Sequence, residues 1–209
     1  MIVLAFDLSS VCIGVFVAEI RSDKVLKASS CPIIPPKFNV EELGFKKTKV
    51  NNCYIKYKDE VVSKTEKKRR DTLVRRSKND FIKKKISEDI TNIVTNISPD
   101  LILAERNQIF NGVLTSVLLG EIMGVLEGIA GGLSIPLEKY SVQEVRKDLN
   151  VSKLVKEFSK IHDVTKYKDV TKAAIAEVMS ERYDIEFSTC DESDACVVFD
   201  YWMRRGRGK

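Results

Sequence analysis

The chain has 209 residues, 44% of them hydrophobic, which suffices for one domain with a proper core. Its net charge of +5 is unevenly placed: Lys46 through Lys85 holds 16 Lys/Arg against 5 Asp/Glu, a local +11, so the remainder sums to −6. Five cysteines with no CxxC pair, and a single histidine, His162, argue against a zinc site and for reduced, partly buried thiols in a reducing compartment such as the cytoplasm.

Residues 2–7, 12–20 and 24–30 read as three short strands of an antiparallel meander. Asp7 interrupts the first apolar run too early for a signal peptide. "CPIIPPKF" breaks the pattern, and residues 37–70 are polar and basic without clear periodicity. A basic insertion or arm is therefore expected at about 31–70 within a single domain of residues 1–209. A helical pattern returns from about Asp71 to Ile97, through Leu73, Phe81, Ile86, Ile90, Ile93, Val94 and Ile97. Pro99 ends it, and "DLILAE" is a short buried strand. A long helix follows from about Asn111 to Ala130, closed by Gly131 and Gly132. This apolar stretch is the one membrane candidate, but Glu121 and Glu127 inside it predict a buried helix of the core. "SIPLEKY" is a fifth strand, and "SVQEVRKDL" opens a helix on a serine cap. The polar stretch "KIHDVTKYKD" places His162 at the surface and leads to a helix at about 171–183. A last helix starts near Asp191 and runs into "RRGRGK". A meander followed by strand–helix–strand crossovers gives an α/β fold, a mixed five-stranded sheet with helices on its faces.

Period-2 alternation puts Val3, Ala5 and Asp7 on one face of the first strand, and Leu101, Leu103 and Glu105 on one face of the later strand. Both acids end apolar strands, at the edge where α/β sheets collect their sites. If those strands are parallel neighbours, the two carboxylates lie side by side. A turn or cap for Asp7 and an ion pair with Arg106 for Glu105 are the plainer alternatives. In "TCDESDACVVFDYW", Asp191 can cap the helix and Asp194 can complete a capping box. Yet Asp191, Asp194, Val198 and Tyr201 share one helical face that leads into an apolar body. Four acids converging on one point would repel unless cations compensated, and oxygen-only ligation favours Mg²⁺, with Mn²⁺ able to substitute. Two such ions about 3.5–4 Å apart can activate a water and stabilise the leaving oxygen of a phosphodiester.

"IVLAFDLSSVCIGVFV", "DLILAERN", "YSVQEVRKDL", "VTKAAI" and "DESDACVV" resemble, in order and spacing, the RuvC-type Holliday junction resolvases of the ribonuclease H-like superfamily. The resemblance covers residues 1–30 and about 71–203. It implies a ribonuclease H-like sheet with helices on both faces, and metal binding by Asp7, Glu105, Asp191 and Asp194. Arg146 takes the place of one family lysine near the site and Lys172 matches a second, either able to steady a charged transition state. Asp7-Leu8-Ser9-Ser10 replaces the usual Asp-Pro-Gly-Ser opening, a form resembling viral and phage relatives, and the basic insertion lies outside the bacterial pattern.

The expected activity is Mg²⁺-dependent endonucleolytic cleavage of four-way or other branched DNA. Phe110 is the candidate for touching bases at the junction, with packing at a helix start as its plain alternative. Arg146, Lys67, Lys68, Arg69 and Arg70 are candidates for binding phosphates, against the alternative of a solvated lysine-rich surface. A near-symmetric junction needs two opposed cuts, so a homodimer is expected, as the resemblance also implies. The candidate seam is the face of Gly120, Gly124 and Gly128, unless that face packs on the protein's own sheet. A hybrid-cutting ribonuclease and a non-catalytic nucleic-acid-binding module of the same fold are the rival readings. A sugar-kinase-like ATPase shares a related strand start but would need glycine-rich phosphate loops that the sequence lacks.

Overall fold

The computed structural model describes residues 1–9, 12–35, 46–47, 55–56, 64–106, 113–161 and 167–205. For 46–47, 55–56, 64–68, 70, 113–114 and 167–169 the description is of the backbone alone. The elements are β1 (Ile2–Asp7), β2 (Ile13–Arg21), β3 (Lys24–Ile33), β4 (Lys46–Lys47), β5 (Ile55–Lys56), α1 (Lys64–Ile97), β6 (Leu101–Arg106), α2 (Val113–Gly132), β7 (Leu137–Ser141), α3 (Val142–Asp148), α4 (Val151–Ile161), α5 (Tyr167–Tyr183) and α6 (Cys190–Arg205). They fall into two compact units, one of Met1–Ile34 with Ser87–Lys209, the other of Pro35–Ile86.

The larger unit is built on a mixed five-stranded sheet of order β3-β2-β1-β6-β7. β1, β2 and β3 pair antiparallel, whereas β1–β6 and β6–β7 pair parallel. Ser22 and Asp23, both at positive φ (47° and 64°), form the tight two-residue link between β2 and β3. The N–H of Ile2 donates to Asp100 Oδ2 at 2.6 Å and the N–H of Asp100 to the Ile2 carbonyl at 2.8 Å, which locks the start of β1 to the start of β6.

Alternation along the strands makes two apolar faces. On one, Val3, Ala5, Phe16, Ala18, Leu101 and Leu103 form a single core with side chains of α3, α4, α5 and α6. Phe16 meets Phe199 at 5.0 Å and Tyr183 at 5.6 Å between ring centroids, so α6 and the end of α5 are seated on β2. The other face carries Leu4, Phe6, Val15, Ile102 and Ala104, all fully buried. Their burial requires a second layer; α2, through Leu118, Ile122 and Leu126, and the last turns of α1, through Ile90 and Val94, carry buried stripes at helical spacing. Each large side chain so buried contributes roughly 1.5–3 kcal/mol relative to exposure.

In the smaller unit β4 and β5 pair antiparallel, Lys46 opposite Lys56, and the first part of α1 buries Val74, Ile82 and Ile86.

Several expected boundaries move. β3 continues through Cys31 to Ile33, into the stretch expected to be insertion, because Pro32 falls at the outer strand of the sheet, where a missing N–H is tolerated. α1 begins at Lys64 instead of Asp71, so the basic run Lys67–Arg70 is helical; Lys and Arg are good helix formers and need no apolar periodicity to continue one. Its buried stripe runs through Val74 and Ile82, and Leu73 is 49% exposed. Residues 151–161, where the sequence reading expects no element, form α4, which buries Val151 and Val155. α2 is long and apolar enough by length and composition to cross a membrane. It is not buried all round, however: Glu121, Gly124, Glu127 and Gly128 form an exposed face.

Candidate metal centre

The β1–β6 register runs Val3–Leu101, Ala5–Leu103, Phe6–Ala104, so Asp7 and Glu105 follow as neighbours at the carboxyl ends of two central parallel strands. Both point to the face that α6 covers, in step with Ala5 and Leu103.

α6 brings the other two acids. It begins at Cys190, and its cap differs from the expected one: neither Asp191 nor Asp194 caps the helix. The N–H of Thr189 donates to Glu192 Oε2 at 2.6 Å, and the N–H of Glu192 donates to Thr189 Oγ1 at 3.4 Å. Thr189-x-x-Glu192 is thus the reciprocal box, and Asp191 and Asp194 are left to face the sheet. Gly14, opposite Asp7 in the β1–β2 register, makes this approach possible. A Cβ on Gly14 would lie 1.8 Å from the Asp191 carbonyl oxygen, so only glycine lets the first turn of α6 rest on the β2 backbone. The Thr-x-x-Glu spacing is legible in "TCDE"; the closeness at Gly14 depends on tertiary packing and is not.

Carboxylate oxygens of Asp7, Asp191 and Asp194 lie within 4.8 Å of one another. Glu105 stands beside this triad and lines a hollow with Asp194, Arg146, Val142, Val145, Ile175 and Val197. Lys172, on α5, places Nζ 3.3 Å from Asp191 Oδ1 and 4.0 Å from Asp194 Oδ2. Burial pushes Asp7 well above the usual carboxylate range, and Glu105, Asp194 and Asp191 push it the same way, against Lys172. Burial, with Asp194 adding and Arg146 opposing, raises Glu105 to about 7. Burial also raises Asp194, while Lys172 and Arg146 pull it down and Asp191 pushes it up. Lys172 itself is held above its ordinary range: burial disfavours its charge, but Asp191 and Asp194 outweigh that. Beside the site, burial lifts the Cys12 thiol to about 11, so it is an inert neighbour at neutral pH.

Four carboxyl groups pressed together in partial burial, with one lysine against them, are short of positive charge. The donor set is all oxygen, and among the described residues no histidine or thiolate joins it. Such a set fits a hard divalent cation, whose positive charge would favour the ionised form of each acid and so oppose the upward shifts.

The same architecture occurs in solved structures. The chain superposes on T. thermophilus RuvC in complex with Holliday junction substrate with a TM-score of 0.56, over 99% of this chain and 97% of that one, at 11% identity. The Thermus thermophilus RuvC structure gives a TM-score of 0.53 with the same coverage and identity. This chain has the RuvC fold, a ribonuclease H-like α/β fold. No protein-family model matches the chain, and no curated protein matches its sequence. On the RuvC fold, then, the acids named from the sequence come together at one end of the sheet, with Lys172 and Arg146 beside them. Phe110 and His162 lie outside the described residues, as do the side chains of Lys67, Lys68 and Arg70; Arg69 is exposed on α1.

Proposed function

We propose that this chain is a metal-dependent endonuclease of the RuvC type that cleaves four-way or other branched DNA. The observation that carries the reading is the meeting of Asp7, Asp191 and Asp194 within 4.8 Å, next to Glu105. Asp7, Glu105, Asp191 and Asp194 would hold Mg²⁺ or Mn²⁺. When bound, the ions would supply Lewis-acid activation of water and of the scissile phosphodiester. The chain's own contribution is rigidity and charge. Asp7 and Glu105 sit on central strands and Asp191 and Asp194 on a capped helix, so their spacing is set before substrate arrives. Lys172 orients Asp191 and offers positive charge where a phosphate would develop its extra negative charge. Arg146, exposed at the rim of the hollow, would meet the DNA backbone.

The basic helix start supports the choice of nucleic acid as substrate, since Lys67, Lys68, Arg69 and Arg70 are consecutive cations. A homodimer would present two such centres to the two opposed strands of a junction.

The experiment is incubation with a labelled four-way junction, a linear duplex of matched sequence and an RNA–DNA hybrid, each with Mg²⁺ or with chelator. Cutting of the junction alone, with Mg²⁺ alone, is expected. Preferential cutting of the hybrid would make the protein a ribonuclease of this fold, and binding without cutting would make it a recognition module.

A further inference from the structure

Glu192 lies between two of the four acids, is 2% exposed, and has no part in the chemistry above. Oε2 serves the helix cap, accepting from the N–H of Thr189 at 2.6 Å, from Thr189 Oγ1 at 3.0 Å and from Ser188 Oγ at 2.6 Å. Oε1 does something a cap does not need. It accepts a hydrogen bond at 2.9 Å from Ser30 Oγ, 162 residues away in sequence on β3. Ser30 pairs with Phe16 on β2, and Gly14 on that same strand supports the first turn of α6 from below. The helix start is therefore held at two separated points of the β2–β3 hairpin, one a backbone approach and one a side-chain bond. Two points fix the rotation of a helix about its axis where one does not, and rotation decides whether Asp191 and Asp194 face Asp7.

We propose that Glu192 is a positioning residue of the metal centre, clamping α6 to β3 through Ser30 so that Asp191 and Asp194 meet Asp7. This rests on the reading of the acids as metal ligands. Carboxylates and hydroxyls that orient metal ligands change metal affinity by about 10–100-fold when removed, and the clamp should act on that scale.

The test is Mn²⁺ titration of the full chain without DNA, followed by calorimetry or by electron paramagnetic resonance, alongside thermal melting. Glu192→Ala should weaken Mn²⁺ binding by about tenfold or more at a temperature where the variant is still folded. Ser30→Ala removes the Oε1 bond and leaves the cap, so it should weaken binding by a smaller but measurable factor with the melting temperature nearly unchanged. Glu192→Gln can still accept from Thr189 and donate to Ser30 Oγ, and should restore most of the affinity. A role in folding alone would lower the melting temperature and leave Mn²⁺ affinity within twofold of wild type; that result for folded Glu192→Ala, or for Ser30→Ala if the alanine variant does not fold, overturns the proposal. A wild-type chain that binds no Mn²⁺ overturns the metal-centre reading and this proposal with it, whereas wild-type binding with unaffected variants removes only the clamp.

Discussion

Glu105 shows most directly what the site asks of a single residue. Its carboxyl is raised from 4.5 to about 7 by burial and by Asp194. Between those values the folded protein holds a proton that the unfolded chain has released, so this group's contribution to stability is full below pH 4.5 and is lost as pH rises through 7. Asp7 and Asp194 are raised too, and act with the same sign. In chelator, the wild-type melting temperature should therefore fall relative to that of Glu105→Gln as pH goes from about 5 to about 8, by about 2–4 °C for each kcal/mol of stability given up in a chain of this size. Adding Mg²⁺ at the alkaline end should restore it in the wild type and much less in the variant. A wild-type protein that gains on the variant with rising pH would mean that Glu105 is not a crowded acid. The residue is legible from the strand ending in it. Its perturbation is not, because it depends on Asp194, far along the chain, and on burial that only the folded sheet creates.

Elements are legible where one periodicity holds without interruption. Of the five strands of the main sheet, β1 spans the expected residues and the others appear with shifted ends, and α1, α2, α5 and α6 lie close to where their apolar spacing predicts. The departures have separate causes. α4 carries Val151, Leu154, Val155, Phe158 and Ile161 at helical spacing, but the lysines and serines between them obscure the stripe. At the start of α6, aspartates are good caps and draw the eye to Asp191 and Asp194, while Thr189 and Glu192, the first just ahead of them and the second nested between them, form the box. The first turns of α1 resemble an arm because their lysines carry no periodicity at all. Lys67, Lys68, Arg69 and Arg70 are four consecutive cations, which suits a backbone of phosphates. Neutralising Lys67, Lys68, Arg69 and Arg70 together should weaken junction binding and flatten the dependence of log affinity on log salt by roughly 0.9 for each phosphate no longer neutralised, with cleavage at saturating enzyme retained. An unchanged slope in a filter-binding or anisotropy series would make the run a solubilising surface.

At the scale of the whole molecule, the glycine face of α2 bears on assembly. Gly120, Gly124 and Gly128 are exposed, and a Cβ on any of them meets no described atom within 4 Å. The expectation that this face could pack on the protein's own sheet is thereby removed, since Leu118, Ile122 and Leu126 are the residues turned inward. Each glycine costs a helix about 1 kcal/mol relative to alanine, so Gly124→Leu should fold at least as stably as the wild type. If the face is the seam of a homodimer, the variant should scatter light as a monomer and nick junctions without paired, symmetric incision. A dimer of unchanged mass would place the seam elsewhere. The four acids are the centre of the proposed mechanism, and one comparison tests their role most directly: cleavage and binding of a labelled four-way junction by wild type and by Asp7→Asn, Glu105→Gln, Asp191→Asn and Asp194→Asn, in Mg²⁺. Each substitution should abolish cutting, while binding persists or tightens because negative charge near the phosphates is removed; near-normal cutting by Asp7→Asn would contradict the metal-centre mechanism.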